Sequence, residues 1–280
     1  MMSVDRRKFL KLAGVVSLGA AAKPVSTLLA SEDPIHVKKM EEGAAATAPT
    51  VSPGPPQGEA SSFREPLTAK RWAMVIDTRK LDEATIERCI DACHTRHNVP
   101  EFEIKKDEIK WIWEEDFHHA FHEQDIPVYT EHIRHKSTLL LCNHCDEPPC
   151  TNVCPTEATF KREEDGLVMM DWHRCIGCRY CVVACPYGSR SFNWRDPRPH
   201  IEEIQGDFPT RMRGVVEKCT FCEERLARGI APACVEASGG AIAFGDLEDP
   251  HSSVRHLLEE HFTIRRKPNL GTQPQVYYIV

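Results

Sequence analysis

Cysteine is the residue type whose number and spacing point most directly to chemistry in this sequence. The chain of 280 residues contains 13 cysteines, most of them two to four residues apart from the next. Thiolates bind soft metals and iron–sulfur clusters through sulfur. An odd number of cysteines in such tight runs argues against a closed set of disulfides. The sequence therefore predicts metal or cluster ligation.

Two of the runs hold four cysteines each and end in Cys-Pro. Residues 142–155 follow C-x2-C-x4-C-x3-C-P, and residues 175–186 follow C-x2-C-x2-C-x3-C-P. Two intervening residues let a tight turn present successive thiolates to neighbouring corners of one cubane, while backbone amides point at the sulfurs. The proline then directs the chain away. This spacing is typical of [4Fe–4S] ligation.

The two complete runs are expected to share their ligands, because in two-cluster ferredoxins the fourth cysteine of such a run binds the other cluster. This crossed ligation predicts a first inner site made of Cys142, Cys145, Cys150 and Cys185. It predicts a second inner site made of Cys175, Cys178, Cys181 and Cys154.

The other five cysteines form a second, damaged pair of runs. One run keeps Cys219, Cys222 and Cys234, but Ser238 occupies the position where its fourth cysteine is expected. The other run survives only as C-x3-C over residues 89–93. Losses in both runs indicate that one of two former cluster sites has disappeared.

Crossed ligation confines these losses to one site. The outer site is complete, with the ligands Cys219, Cys222, Cys234 and Cys93. The opposite site keeps Cys89 alone, because Ser238 and Leu81 stand where two of its cysteines are expected. We therefore predict three [4Fe–4S] clusters with twelve ligands, and Cys89 as a buried leftover thiol.

Two other classes of protein remain as alternatives. A structural zinc or scaffold protein also uses C-x2-C pairs, although zinc sites do not need four-cysteine runs that end in Cys-Pro. An enzyme would use the erased site as an open substrate pocket, but no nucleophile–base pair or cofactor loop in the sequence supports this. The net charge of −7 disfavours a nucleic-acid partner.

Short elements must position these runs. Residues 74–80 repeat the pattern of residues 168–174, each a short strand that ends in Asp and leads to a basic residue. The apolar residues 73–76 predict a strand. Residues 159–160 and 167–169, separated by Asp165-Gly166, predict a hairpin beside the inner sites. Residues 254–262 are typical of an amphipathic helix.

Residues 101–137 form an insertion rich in aromatic and histidine residues and without cysteine. The histidines can bind a metal or haem, or they can pack on Trp and Phe at an interface. The sequence leaves both interpretations open for His118, His119, His122, His132 and His135.

The first 66 residues have the composition of a targeting segment and a linker. Arg6 and Arg7 precede an apolar stretch over residues 12–22, which is about half the ~20 residues needed to span a bilayer. Residues 1–30 therefore predict a twin-arginine export signal and a periplasmic location. Residues 31–66 are rich in Ala, Pro and Gly, which is typical of a linker.

The third run and its flanks, over residues 213–246, resemble the ferredoxin-type iron–sulfur subunits of membrane oxidoreductases. These include the NrfC-like subunits of polysulfide, dimethyl-sulfoxide and cytochrome-linked nitrite reductase systems, and the resemblance covers roughly residues 70–280. It implies an α+β fold with two tandem pseudo-symmetric ferredoxin-like units of the bacterial dicluster type. The predicted ranges are 138–200 for the inner unit, 67–100 with 210–247 for the outer unit, and 248–280 for a C-terminal extension.

The resemblance also implies a function. The chain is expected to be a non-catalytic subunit that passes electrons between a polytopic, NrfD-like quinone-interacting membrane subunit and a c-type haem or sulfur-metabolism partner. The alternative within the family is the iron–sulfur subunit of a molybdopterin-type reductase. Basic residues beside the ligands, Lys218, Arg174 and Arg179, are expected to favour reduced clusters, unless they are solvated surface charges.

Overall fold

The computed structural model describes residues 64–124 and 135–280. The predicted export signal, residues 31–63 of the predicted linker and His132 lie outside the described residues. The strands are β1 (Trp72–Asp77), β2 (Ile112–Asp116), β3 (Ser137–Leu141), β4 (Thr159–Lys161), β5 (Val168–Met170), β6 (Ser191–Phe192), β7 (Val216–Glu217), β8 (Ile242–Asp246), β9 (Thr263–Ile264) and β10 (Val276–Ile279). The helices are α1 (Glu83–Arg96), α2 (Phe117–Ala120), α3 (Pro149–Asn152), α4 (Tyr180–Ala184), α5 (Glu223–Leu226), α6 (Ala233–Ala237) and α7 (Ser253–Glu260).

The largest sheet has the strand order β8-β1-β10-β9. Strand β1 is antiparallel to β8 and parallel to β10. All six of its residues are buried, because side chains alternate between two covered faces. Met74 and Ile76 enter the main core, whereas Ala73 and Val75 pack against Val254 of α7. The predicted strand over residues 73–76 is therefore confirmed.

The C-terminal residues complete this sheet. The register pairs Met74 with Val276, and the Thr78 hydroxyl donates to the backbone oxygen of Ile279 at 2.8 Å. The predicted amphipathic helix is confirmed as α7, whose first turn is capped by the Ser252 side chain. Residues 248–280 were expected to be an extension outside the ferredoxin-like units. In the structure they supply two of the four strands beside β1 and β8.

Helix α1 carries the remnant run over residues 89–93. The Asp82 side chain accepts a hydrogen bond from the Thr85 amide at 2.8 Å and caps the first turn. Ile86, Cys89 and Cys93 are buried, and their i, i+3, i+7 spacing places them on one face. In the described part of the chain, no helix combines the length and apolar character needed to cross a membrane.

The remaining strands form three two-stranded sheets. Strands β4 and β5 pair antiparallel, which confirms the predicted hairpin. At its turn the Leu167 amide donates to Asp165, and Gly166 adopts φ +75°. Strands β2 and β3 pair antiparallel, so the histidine-rich insertion begins as part of a sheet.

The two copies of the internal repeat share a local structure. The Asp77 carboxylate accepts a hydrogen bond from the Arg79 amide at 3.1 Å. The Asp171 carboxylate accepts one from the His173 amide at 2.9 Å. In each copy the aspartate therefore forms a turn directly after the strand and redirects the chain toward the following run.

Candidate iron–sulfur sites

The first inner site is a small cavity whose wall contains all four of its predicted ligands. Strand β3 leads into the first of them, α3 carries the third, and the fourth follows α4. Prolines, Val168 and Tyr187 line the same wall, together with the polar residues Asn143, Ser189 and Arg190. The lining cysteines are Cys142, Cys145, Cys150 and Cys185.

The electrostatics of these thiols reflect their crowding. Burial raises the pKa of the Cys145 thiol to about 12, and the neighbouring Cys142 and Cys150 add to the shift. Burial and Cys142 likewise raise the pKa of Cys185. Four thiolates in one dry cavity repel one another unless a cation binds them, and iron would supply that charge.

The second inner site lies beside the first. Cys181 is buried in an apolar group against which Cys154 and Cys175 pack, while Cys178 is half-buried in the loop before α4 and is not part of that group. The loop needs its glycine, since Gly177 adopts φ +70° and an added Cβ would lie 2.4 Å from the Gly214 carbonyl oxygen.

Cys154 shows the amide pattern expected of a cluster ligand. Burial raises its pKa, but hydrogen bonds from the backbone amides of Thr159, Thr156 and Ala158 bring the net value below the usual range. Amide donors stabilise a thiolate and tune the potential of a cluster bound to it. The turn between Cys154 and β4 is therefore suited to hold a charged sulfur.

The outer site brings together cysteines from distant parts of the chain. Cys93 lies on α1, and the others lie around α5 and α6. Burial raises the pKa of Cys93 well above its usual range, and the nearby thiols of Cys222, Cys219 and Cys234 raise it further. The structure therefore brings the remnant cysteine to the third run.

Backbone amides also reach the sulfurs of the outer site. The Phe221 amide donates to Cys219 Sγ, and the Ala233 amide donates to Cys222 Sγ, each at 3.4 Å. Cys222 adopts φ +54°, so the left-handed turn at this residue points amides inward. The geometry matches the sulfur–amide pattern of the inner sites.

Packed side chains occupy the position predicted for the lost fourth site. Cys89 is fully buried, as predicted, and packs in the main core with Leu81 and Ile86. Burial raises the pKa of Cys89 to about 11. Its Sγ donates to the Cys234 carbonyl oxygen at 3.4 Å. Ser238 donates to the Val235 carbonyl and accepts from the Ile242 amide, so its hydroxyl serves the turn after α6.

The three groups of cysteines fit [4Fe–4S] clusters by donor chemistry and by one further observation. Asn143 lies between two predicted ligands and lines the cavity of the first inner site. Its side-chain nitrogen and oxygen are buried without a hydrogen-bond partner among the described residues. Buried amides normally have partners, and the sulfides of a bound cluster would accept from this nitrogen.

His144 links the first inner site to the outer site, a role that its sequence position alone did not reveal. Its Nδ1 accepts from the Val168 amide at 3.1 Å, so its Nε2 carries the proton and donates to the Cys219 carbonyl at 3.1 Å. The ring stacks on Phe221 with centroids 3.8 Å apart. Burial lowers its pKa well below the usual range, so the ring is a neutral, fixed spacer.

The basic residues near the ligands differ in burial. Lys218 is fully buried and donates to the carbonyl oxygens of Val168 and Cys219. Arg174 is half exposed and pairs with Glu157 at 3.5 Å. Arg179 is exposed and stacks on Trp194. Of the three, only Lys218 has the desolvated position in which a charge acts strongly on a cluster.

Sequence reasoning missed Arg190, which is only 4% exposed. Its Nη2 donates to Cys150 Sγ at 3.0 Å. No motif marks this residue, because it lies past the Cys-Pro end of its run. Arg190 lies close to the thiols because it contacts the β4–β5 hairpin and Cys181 of α4.

A buried ion pair supports the strand that precedes the third run. Arg211 and Glu217 are both fully buried, and Arg211 donates to Glu217 with N···O 2.6 Å. Trp111 Nε1 donates to the same carboxylate at 2.9 Å. The guanidinium also lies 5.3 Å from the Trp111 ring centroid. Glu217 is two residues before Cys219, so this network fixes the approach to the outer site.

The insertion histidines do not converge in the described part of the chain. His119 pairs with Glu115 at 3.1 Å, and His135 lies 3.7 Å from Asp116. Helix α2 ends at Ala120, so it does not place His118 and His122 on one helical face. Among the described residues, one set of three possible metal ligands has its ligand atoms within 4.8 Å of one another. It consists of His97, Cys222 and Glu224 at the outer site.

Residues 135–199 match the family model of the 4Fe-4S dicluster domain. This match covers nearly the same residues as the predicted inner unit. Together with the grouped cysteines and the small sheets of a mixed α/β fold, it defines a [4Fe–4S] iron–sulfur protein.

Relatives extend the likeness over almost the whole chain. Iron-sulfur subunit 1 of the Hdr-like menaquinol oxidoreductase of Archaeoglobus fulgidus is 37% identical over 98% of this chain and 97% of its own length. The iron-sulfur cluster-binding subunit of the menaquinone reductase of Nitratidesulfovibrio vulgaris is 36% identical over 78% and 91%. A selenate reductase subunit of Mesobacillus selenatarsenatis is 33% identical over 99% and 97%.

The chain therefore belongs to the family of iron–sulfur electron-transfer subunits of oxidoreductase complexes, which confirms the resemblance seen in its motifs.

Proposed function

We propose that this chain carries single electrons through three [4Fe–4S] clusters, between a membrane quinone-interacting subunit and a haem c or sulfur-metabolism partner. The observation that carries the proposal is the grouping of eleven of the twelve predicted ligands into three neighbouring sites, with Cys178 in the loop that leads into the second inner site. Arg190 contacts ligands of both inner sites, and His144 connects the first inner site with the outer one. The order of sites is therefore second inner, first inner, outer.

Bound clusters would supply reversible one-electron oxidation and reduction. The chain's own residues would hold the sulfurs, exclude water and stabilise the added charge. Cys142, Cys145 and Cys150 are each about 8% exposed, so solvent has little access to the middle site. We propose that the chemistry of substrate conversion belongs to the partners and not to this chain.

The outer site can be tested by removing one cysteine at a time. In anaerobically purified protein, we expect Cys93→Ala to lose about four of about twelve irons and one electron paramagnetic resonance signal. The matched control is Cys89→Ala on the same face of α1, which should keep every cluster because Cys89 bonds to a carbonyl oxygen. Equal iron loss from both variants would contradict the assignment, and tightly bound zinc without iron would favour a scaffold protein.

The proposal includes two tandem ferredoxin-like units, inner and outer. Strand β4 follows the first complete run and pairs antiparallel with β5, which precedes the second run. Strand β8 follows the third run and pairs antiparallel with β1, which precedes the remnant. The same order of run and strand in both pairs supports a duplicated unit, in which the outer copy has lost one cluster.

The proposal also includes export through the twin-arginine route to the periplasmic face, where partners hold the chain at the membrane. Arg6 and Arg7 before a short apolar stretch support this route. Replacing both arginines by lysine should retain the cluster-bearing protein in the cytoplasm, as cell fractionation would detect. Unchanged export would contradict the proposed route.

Within the family, we propose that the functional counterpart is DsrO, the periplasmic iron–sulfur subunit of the Dsr complex of sulfur-metabolising prokaryotes. The predicted signal, the long linker and the count of three clusters support this proposal. The 37% identity to a menaquinol oxidoreductase subunit supports a quinone-linked complex. Copurification with an NrfD-like subunit and a c-type haem subunit is the expected result.

The alternative is the iron–sulfur subunit of a molybdopterin-type reductase. The specific observation in its favour is the 33% identity to a selenate reductase subunit over 99% of this chain. Metal analysis of the complex purified from the native membrane separates the two proposals. Molybdenum in stoichiometric amount would favour the reductase, whereas haem iron without molybdenum would favour the quinone–haem assignment.

A further inference from the structure

Arg190 lies at the junction between the two inner sites. Its Nη2 donates to Cys150 Sγ at 3.0 Å, and its guanidinium also hydrogen-bonds to the Cys181 thiol. Cys150 belongs to the first inner site and Cys181 to the second. A single side chain therefore contacts predicted ligands of two different clusters.

The hairpin between the sites fixes this guanidinium in place. Nη2 also donates to the Thr159 hydroxyl at 2.7 Å, and Nη1 lies 3.9 Å from Met170 Sδ. Thr159 and Met170 are register partners in the β4–β5 pair. The Thr159 hydroxyl in turn donates to the Met169 carbonyl at 2.9 Å. The side chain is thus held by both strands.

Among the described residues, no carboxylate pairs with the charge of Arg190. Within the part of the chain that the structure describes, its hydrogen bonds go to sulfur and hydroxyl groups. A guanidinium is not deprotonated in proteins, so Arg190 is charged, and the sulfurs of the two inner sites that it contacts would be its counter-ions.

A buried cation acts on the redox equilibrium of a neighbouring cluster. Reduction adds one negative charge, and in a desolvated site a fixed positive charge stabilises that state more strongly than it would in water. The fork of a guanidinium presents several N–H groups in one plane. One arginine can therefore donate hydrogen bonds to ligands of two clusters at once. Lysine, with a single ammonium group, does this less well.

We propose that the forked guanidinium of Arg190 raises the reduction potentials of both inner clusters, because it contacts a ligand of each. The proposal rests on the proposed function, because it needs clusters at both inner sites.

The test uses the full-length holoprotein, purified anaerobically, and three variants. Arg190→Gln removes the positive charge, and Arg190→Lys keeps the charge on a side chain of different shape. Arg174→Gln is the matched control beside the second inner site. Arg174 is half exposed and already paired with Glu157. The readouts are iron per chain and the midpoint potential of each cluster in a redox titration followed by electron paramagnetic resonance.

We expect Arg190→Gln to retain its iron and to shift both inner midpoints to more negative values, while the outer midpoint stays in place. Arg190→Lys should recover part of the shift in one inner cluster and thereby separate the two midpoints. Arg174→Gln should leave all midpoints close to those of the parent protein, because solvent screens its charge.

Unchanged inner midpoints in iron-replete Arg190→Gln, or an equal shift in Arg174→Gln, would overturn the proposal. If Arg190→Gln loses the inner clusters, Arg190→Lys decides: a more negative midpoint at one inner cluster would support the role of the guanidinium fork, whereas two midpoints at the parent values would reject it. A parent protein without inner clusters would instead reject the proposed function, so the two failures are distinguishable.

Discussion

The carboxylate of Glu217 is fully buried, and three side chains donate to it. Arg211, Trp111 and Asn193 supply these hydrogen bonds. A buried ion pair contributes little compared with an apolar replacement of the whole pair, but removal of one partner leaves the other charge desolvated and unpaired. Replacing only one residue of the pair is therefore expected to lower the stability of the fold.

Glu217→Gln is expected to lower the free energy of unfolding by about 3–5 kcal/mol, because Arg211 would remain charged in a dry site. Urea unfolding of the anaerobic holoprotein measures this change. The matched control is Glu236→Gln, which removes an arginine partner on the exposed surface and should change stability little. A Glu217→Gln protein as stable as the control would contradict the inferred role of this ion pair.

Single-residue roles divide into those that sequence could predict and those that it could not. The position of Cys93 beside the third run was predicted, because cysteine spacing and crossed ligation left one place for it. Arg190 was not, since nothing in the local sequence distinguishes it from the solvated Arg179. What separates the two arginines is burial, and Arg190 is buried by contacts with a hairpin that lies 20 to 31 positions earlier in the sequence.

At the scale of elements, the packing of α1 against α6 closes the position where the sequence predicts a lost cluster site. Cys89 on α1 bonds to the Cys234 carbonyl of α6. Leu81 fills the core where the sequence repeat places a ligand in the other copy. Ser238 caps the turn into β8 through the Ile242 amide. Apolar packing and local hydrogen bonds thus stabilise this half of the chain at the predicted lost site.

Ser238→Cys is expected to leave the iron content at about twelve per chain. The substitution restores one of the missing sulfurs, but Leu81 still occupies another predicted ligand position and is buried in the core. Iron analysis and electron paramagnetic resonance of the reduced protein measure the outcome. Sixteen irons per chain, or a fourth signal, would show that the erased site can still assemble.

The elements nearest to the cysteine runs were well predicted, because the sequence patterns that define them span only a few residues. Strand β1, the β4–β5 hairpin and helix α7 each follow from alternation, a turn dipeptide or helical spacing within a few residues. The strand β10 was not predicted, because its short apolar run has no partner nearby in sequence. Its parallel neighbour is Met74–Asp77, at the other end of the described chain.

At the scale of the whole molecule, the C-terminal segment covers the first inner site. The amides of Asp146 and Glu147 donate to the carbonyls of Gln273 and Thr272. The Thr272 hydroxyl hydrogen-bonds to the Cys145 thiol and to the Tyr187 hydroxyl. The Gln275 amide donates to the Asn143 carbonyl at 2.9 Å. This segment therefore belongs to the site as well as to the central sheet.

A chain shortened to residues 1–271 is expected to lose iron from the first inner site, since it lacks both the cover over Cys145 and strand β10. Phe262→Ser in the full-length chain is the control, because Phe262 is 79% exposed and should tolerate a polar residue without loss of iron. Iron per chain and the spectrum of the reduced protein measure the difference. A shortened chain with the parent iron content would show that the segment is dispensable.

The pairing of β1 with β10 also sets an order of events during synthesis. Thr78 and Ile279, which bond to each other, are 201 positions apart. Every cysteine has left the ribosome before the last strand can join the sheet. The thiols of all three sites are therefore exposed to cluster assembly before the C-terminal segment over the first inner site can be put in place.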